Sequence, residues 1–317
     1  MFQKLICVLG GTGFVGEHLV SGLTKAGYPV RVPSRNRERR RDLLVLPGVD
    51  VVDANVHDPD TLKTLFQDCF AVINLVAILN EEGRDTFEKV HVELPRNIVA
   101  ACRQAGIGRL LHMSALNADA RQGSSAYLRS KGQGQDIVHA ADDLLTTSFR
   151  PSVIFGPGDR FFNRFAGMLQ SLPVLPLMCP NARMAPVYVG DVVTTMVRAL
   201  REKTTYGQSY DLCGPETFTL LDLVEYTRRL LKLKRRIVPL SDGMSALHGR
   251  ILGKLPGKLF TYDNYLSLQT PAVCSAPFPE IFGIQPASVD SIVPKYVGRD
   301  DIRGRFDTLR RHAARDK

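Results

Sequence analysis

An α/β architecture, a doubly wound parallel sheet with a small C-terminal substrate subdomain, is predicted by three observations. A glycine-rich turn, Gly10, Gly11, Thr12, Gly13, Phe14, Val15 and Gly16, sits between an apolar run at 5–9 and a stretch whose apolar residues at 15, 19, 20 and 23 follow the helical period. Short apolar strands then alternate with helical segments as far as about residue 153, the pattern of a parallel sheet. Beyond residue 155 the texture changes, and 156–185 reads as loop-rich, with prolines at 157, 173, 176 and 180.

The turn comes first, and its glycines have distinct tasks. Gly10 permits a tight turn, Gly13 lets the backbone approach a pyrophosphate, and Gly16 lets the helix pack against the strand. Free N–H groups at the helix start then face the phosphates. The spacing is GxxGxxG, not the GxGxxG of many dehydrogenases.

The second strand, 29–33, ends at Ser34 and Arg35, where an acid would accept from the ribose hydroxyls of NAD(H). A guanidinium suits a 2′-phosphate instead, so NADP(H) is preferred and NAD(H) is kept as the alternative. Strand three, 49–54, ends at Asn55 and Val56, which face an adenine edge; strand four, 71–76, brings Leu75, Val76 and Ala77 to the crevice. A helix is expected over 86–105, stopped by Gly106, before strand five at 109–113. Ser114 stands at the C-terminal end of that strand, where open parallel sheets bind their ligands. Strand six, 147–153, contributes Pro151 and Val153.

Between strands five and six, Tyr127 and Lys131 lie one turn apart on one helical face. An ammonium near a phenol favours the phenolate and lowers its pKa, so Tyr127 would exchange a proton near neutrality. Lys131 would also hold the nicotinamide ribose, and Ser114 would hydrogen-bond the substrate oxygen.

Composition limits the alternatives. The chain has 317 residues, 44% of them hydrophobic, enough for one large α/β domain with an added subdomain. Its net charge of +9 admits nucleic acid, an anionic membrane or anionic ligands. No nucleic-acid reader motif or aromatic-basic interleaving occurs, so no nucleic-acid partner is expected. Six scattered cysteines show no metal-ligand or CxxC spacing. They predict unpaired thiols in a reducing compartment, with Cys7 and Cys102 as small core residues and no metal site. The first strand begins close to Met1 and no apolar stretch reaches the roughly 18 residues of a membrane span. A cytoplasmic protein is therefore expected, with peripheral placement on the inner face of a membrane as the variant reading.

The glycine motif, Ser114, the Tyr127/Lys131 pair and the stretch 150–159 together resemble the extended and atypical short-chain dehydrogenase/reductases. Within them, residues 156–163, 186–191 and 264–269 are most similar to the subgroup containing the nucleotide-binding accessory subunit of mitochondrial complex I and its bacterial relatives. The resemblance covers about residues 4–296. It implies a Rossmann-like domain over 1–155 with 186–212 returning to it and a cap over 156–185 and 213–298. The remaining stretch, 299–317, reads as a basic tail, with seven Lys/Arg against four Asp. It implies NADP(H) held by Gly10, Gly13 and Gly16, with Ser114, Tyr127 and Lys131 as the active-site set. The implied substrates are small molecules such as sugar nucleotides or quinone-related compounds. One departure stands out: where many extended members carry asparagine in a Val-Asn-Val segment, this chain has His91 between Val90 and Val92. His91 and Arg183 are kept as substrate-side candidates.

In the back half, Thr219 and Asp222 mark the start of a helix over 220–232. The stretch 244–260 carries Arg250, Lys254 and Lys258 at four-residue spacing and Leu247, Ile251, Leu252, Leu255 and Leu259 on the other side. One expectation packs this helix over the substrate cleft with its basic face in water. The other lays it, with the tail, on an anionic membrane or a respiratory complex. Two functions follow: an NADP(H)-dependent oxidoreductase or epimerase/dehydratase, or a non-catalytic nucleotide-binding accessory protein of a membrane respiratory system.

Overall fold

A computed structural model describes residues 4–297. The strands read from the sequence form as β1 (Leu5–Leu9), β2 (Val30–Ser34), β3 (Val49–Asp53), β4 (Cys69–Asn74), β5 (Arg109–Met113) and β6 (Leu145–Pro151). They alternate with α1 (Phe14–Lys25), α2 (Arg41–Leu44), α3 (Pro59–Phe66), α4 (Leu94–Gln104) and α5 (Ala126–His139). The chain continues through β7 (Ile154–Phe155), α6 (Phe162–Ser171), β8 (Val174–Leu177), β9 (Arg183–Met184), β10 (Val187–Tyr188) and α7 (Val189–Ala199). After β11 (Gln208–Leu212) come β12 (Phe218–Thr219), α8 (Leu220–Leu230), β13 (Arg236–Pro239), α9 (Asp242–Leu252), α10 (Tyr262–Leu268) and α11 (Val289–Ile292).

Seven strands make one sheet in the order β11-β6-β5-β4-β1-β2-β3, and every pairing in it is parallel. The strand order reverses between β1 and β4, which opens a crevice beyond their C-terminal ends. Both faces are covered, which is why the inner strands are continuous apolar runs. On one face Leu19, Val20 and Leu23 of α1 join Val192 and Met196 of α7. On the other, Leu62 and Phe66 of α3 pack with Ile98 and Cys102 of α4. A further apolar cluster, around Phe155, Phe162, Leu169, Leu223 and Val293, supports the elements that flank the crevice. Cys7 and Cys102 are fully buried, as small core residues should be.

Four local expectations are corrected. The helix expected over 86–105 is split into a π-helical segment, Glu88–Glu93, and α4. Pro95 lies four residues after His91 and has no N–H for the His91 carbonyl, so the α-helical ladder cannot continue through that turn. The proline-rich region 156–185 contains a ten-residue helix, α6, whose buried Phe162, Ala166 and Leu169 keep the helical spacing. The cysteines are not all unpaired: Cys213 and Cys274 form a disulfide, with Cα atoms 5.9 Å apart. No local spacing announces it, because the loop after β11 and the segment after α10 meet only in the folded chain. Lastly, α9 forms in the basic stretch, but only Ala246 and Leu252 pack inward; Met244, Leu247 and Ile251 on the helix, and Leu255 and Leu259 in the turns after it, are all exposed. The tail read over 299–317 lies outside the described residues. No helix among the described residues is long and apolar enough to cross a membrane.

Candidate functional site

The turn after β1 has the shape its glycines predict. Gly10 adopts φ +77°, a left-handed conformation that side chains disfavour. A Cβ at Gly16 would lie 2.2 Å from the Gly10 carbonyl oxygen, so only glycine lets α1 seat against the turn. Gly13 is the N-cap of α1, and no side chain caps that end. A Cβ there would meet only the Gly10 oxygen, at 3.4 Å, so the helix start is open. Gly11 points the other way: a Cβ would strike Val32 at 2.8 Å. Thr12, Phe14 and Val15 are half-buried around the helix start. Uncapped N–H groups at an open helix end are a fitting seat for a pyrophosphate.

The neighbouring strand ends complete the crevice. The amide of Leu75 donates to the Leu9 carbonyl (2.9 Å), and that of Val76 to Asn74 Oδ1 (3.1 Å), which lays the segment Leu75, Val76 and Ala77 beside the glycine turn. Ser34 is buried, and its Oγ accepts from the Asn36 amide at 3.2 Å. The Arg35 side chain is 83% exposed and meets Asp85 at 3.7 Å, a pairing too weak to hold it. Asn55 is exposed, its Oδ1 accepting the His57 amide, while Val56 packs into the core beside α3 and α4. Pro151 is buried and its carbonyl accepts from the Leu116 amide (3.0 Å); the Val153 carbonyl accepts from the Val187 amide (2.9 Å).

Ser114, Tyr127, Lys131 and His91 come together at the end of β5. Ser114 is buried, and its Oγ has no hydrogen-bond partner among the described residues. Such an orphan is costly unless a ligand oxygen completes it. Lys131 Nζ donates to the carbonyl of Met113, the residue before Ser114, at 2.6 Å. The Tyr127 ring packs edge-on against Phe87 and His91, with centroids 6.0 and 5.6 Å apart. The π-helical segment delivers His91, whose two ring nitrogens are both engaged, one by Ser130 Oγ at 2.9 Å and the other by the Ile78 amide at 3.1 Å. An imidazole that accepts from an amide and is buried stays neutral, and burial followed by the Lys131 charge pushes its pKa down to about 2.

The expected depression of the Tyr127 phenol is corrected. Lys131 is turned to the Met113 carbonyl, and burial holds Tyr127 up at about 12. Burial brings Lys131 itself down to about 8. Each shift disfavours the charged form, as desolvation must.

Sequence reasoning missed the residues that aim α5. Ser125 is its N-cap and accepts the Leu128 amide. The Asp263 carboxylate, from the first turn of α10, accepts the amides of Ala126 and Tyr127 at 2.7 and 3.1 Å. Ser267 donates to Ser125 Oγ (2.8 Å) and Thr270 to Ser124 Oγ (3.0 Å). The one signal in the sequence was the pair Thr261 and Asn264, which form a capping box and fix where α10 begins. Arg183 is not part of this group. It is exposed on β9, where it lines a pocket with Cys179, Asp242 and Gln269. Among the described residues no cluster of metal-ligating side chains is found.

The comparisons agree with this geometry. The model of the NAD dependent epimerase/dehydratase family matches residues 6–213. The chain is similar to the mitochondrial NADH dehydrogenase (ubiquinone) 1 alpha subcomplex subunit 9 of Mus musculus, 30% identical over 89% of this chain and 77% of that protein. It is similar to a ceramide reductase of Caulobacter vibrioides, 28% identical over 76% of this chain and 74% of that protein. Among solved structures, a dTDP-glucose 4,6-dehydratase of Streptomyces venezuelae shares the fold, with TM-score 0.74 and 19% identity over 95% of this chain and 98% of that one. An NADPH-dependent quinone oxidoreductase of Escherichia coli does likewise, with TM-score 0.72 and 16% identity over 90% and 97%. By sequence and by the glycine turn, the chain belongs to the NAD-dependent epimerase/dehydratase family, whose members bind NAD(P).

Proposed function

We propose that the protein is an NADP(H)-dependent oxidoreductase that exchanges a hydride with a carbonyl or alcohol carbon of a small molecule. The observation that carries this reading is the buried, unpartnered Ser114 Oγ beside the strand-end carbonyl that holds Lys131. When bound, the nicotinamide supplies or takes the hydride. The chain does the rest. Ser114 donates a hydrogen bond to the substrate oxygen and fixes its position. Tyr127, kept protonated at neutral pH, gives its proton to that oxygen in the reducing direction. Lys131, held at the strand end by the Met113 carbonyl, is placed to hold the nicotinamide ribose. The epimerase/dehydratase form of the same hydride chemistry uses the same residues.

The substrate is a ketone or its alcohol; a sugar nucleotide and a quinone-related compound are the two classes the family suggests. The relative named ceramide reductase favours a carbonyl on an apolar carrier. Arg35 supports the choice of NADP(H), because its guanidinium is exposed at the end of β2 with only a long ion pair to leave. Replacing Tyr127 by Phe should abolish carbonyl-dependent NADPH oxidation while nucleotide binding persists; unchanged turnover would exclude the mechanism. Arg35→Ala should weaken NADPH at least tenfold and leave NADH unchanged in parallel titrations.

His91 favours a second reading, a nucleotide-binding accessory protein on the inner face of a membrane. With both ring nitrogens engaged and its pKa held far below neutrality, it cannot relay a proton. The similarity to a mitochondrial NADH dehydrogenase subunit points the same way. Salt-reversible fractionation with membranes, together with absence of turnover on a panel of carbonyls, would favour it.

A further inference from the structure

A surface helix in water buries its apolar stripe and exposes its polar face. α9 does the opposite. Its buried residues are Ser245 and Gly249. Ser245 Oγ accepts the Cys179 amide at 3.0 Å and donates to the Ser241 carbonyl at 2.9 Å. A Cβ at Gly249 would lie 3.0 Å from the Thr261 oxygen and 3.1 Å from the Tyr262 amide, so a small residue is what lets α9 lie against the start of α10. Ala246 and Leu252 pack toward Cys179, Phe260 and Tyr265, while the larger apolar side chains on the other side point away from the protein. Met244, Leu247, Ile251, Leu255 and Leu259 are between 43 and 63% exposed. Met244, Leu247 and Ile251 line one side of α9, and Leu255 and Leu259 continue the ridge in the turns between α9 and α10. Leu79, 56% exposed, stands near its far end, because the adjoining Asn80 donates to the Lys258 carbonyl and accepts from Thr261 Oγ1. A contiguous apolar line of this length marks an interaction surface.

The charge says what it meets. No acidic residue occurs from 243 to 262, while Arg250, Lys254 and Lys258 punctuate the ridge. None of the three is in an ion pair among the described residues; Arg250 lies over the Tyr262 ring and Lys258 donates to the Glu81 carbonyl. Glu81 and Glu82 border only the Leu79 end; along residues 243–262 the apolar side chains carry one sign of charge, and these are the two components of binding at an anionic lipid interface. A second copy of this chain is a poor occupant, since a two-fold contact would set these cations against themselves.

We infer that the ridge of residues 244–259 docks on an anionic phospholipid bilayer, with Leu247, Ile251, Leu255 and Leu259 inserted among the acyl chains. This deepens the peripheral-membrane part of the functional reading and rests on it, but not on the hydride chemistry. The ridge runs directly into α10, whose Asp263 caps the helix carrying Tyr127. Docking therefore holds the candidate site at the membrane surface.

The test is co-sedimentation of the full chain with vesicles of phosphatidylcholine containing phosphatidylglycerol, against vesicles of phosphatidylcholine alone. The wild type should bind the anionic vesicles at least tenfold more tightly, and Leu247→Ser/Ile251→Ser should lose at least tenfold with nucleotide affinity and Tm unchanged. Lys254→Gln should weaken binding less and reduce its salt dependence. Three results would overturn the inference: no binding by the wild type, equal binding by the double variant (which would assign lipid contact to another segment), or a wild-type dimer that the double variant makes monomeric. Loss of carbonyl reductase activity alone would leave the vesicle result standing and would count only against the hydride reading.

Discussion

Two helices start at the same edge of the sheet and treat their first amides in opposite ways. α1 begins at Gly13 with no capping side chain. α5 begins at Ser125, which caps Leu128, while Asp263 takes the amides of Ala126 and Tyr127. The positive end of α1 is thus left for an external anion, and that of α5 is satisfied by the protein's own carboxylate. The contrast separates two jobs. The open end binds; the closed end aims a side chain, because Tyr127 lies in the very turn that Asp263 fixes.

The difference can be broken first at α1. Gly16→Val would drive a side chain into the Gly10 carbonyl, so nucleotide binding should be lost, at least a hundredfold by titration, with a stability loss of about 2 kcal/mol or more. On α5, Lys131→Met should abolish turnover yet stabilise the fold at neutral pH. Burial lowers the Lys131 pKa to about 8 from 10.5, so the folded state binds fewer protons than the unfolded one between those values. Charging it therefore costs folding about 3 kcal/mol at pH 7, and that cost fades as pH rises from about 8 to 10.5. Thermal melts of wild type and variant should accordingly converge towards pH 10; a gap independent of pH would rule this out.

Smaller effects sharpen the contrast. Asp263→Ala leaves two amides uncapped and should cost about 1–2 kcal/mol, with kcat falling roughly tenfold while the NADPH Kd stays unchanged. Gly13→Asp tests the open end with little steric disturbance, since Gly13 is extended at φ −90°. A carboxylate there should leave the apo Tm equal or slightly raised and weaken the nucleotide about tenfold, by repulsion of the phosphates. If Gly13→Asp left affinity intact, the open end would not be the phosphate seat.

Much of the sheet half was legible because its signals are local. β1, the glycine turn and α1 are announced by one unbroken stretch, 5–25, and the N-cap expected at Thr219 forms at the start of α8, completed by Asp222 as a capping box. The position of Ser114 was legible by the same logic, as the residue just past β5. What escaped is held by partners far apart in the chain. Asp263 is 136 residues from Tyr127, and Cys213 is 61 residues from Cys274. The pKa of Tyr127 was misjudged because sequence gives its neighbour in the helix but not where that neighbour's ammonium points. The stretch 244–260 was left with two placements, over the cleft or on a membrane, because periodicity identifies the apolar side of a helix without saying which side faces the protein. The split before α4 was readable in principle, from Pro95 four residues after His91.

The disulfide bears on how these parts are tethered. Bonding Cys213 to Cys274 makes α8, α9 and α10 members of one covalent ring anchored at the end of β11. The lipid-facing ridge and the carboxylate that caps α5 both sit on that ring. On a chain-entropy account, closing a loop of this length disfavours the unfolded state by about 4 kcal/mol. A reductant would open the ring and leave residues 214–273 held by the ordinary chain at both ends and by their packing, with the sheet and its glycine turn outside the affected segment. Thiol conditions would then act selectively, loosening the aim of Tyr127 and the lipid-facing ridge before the grip on the nucleotide.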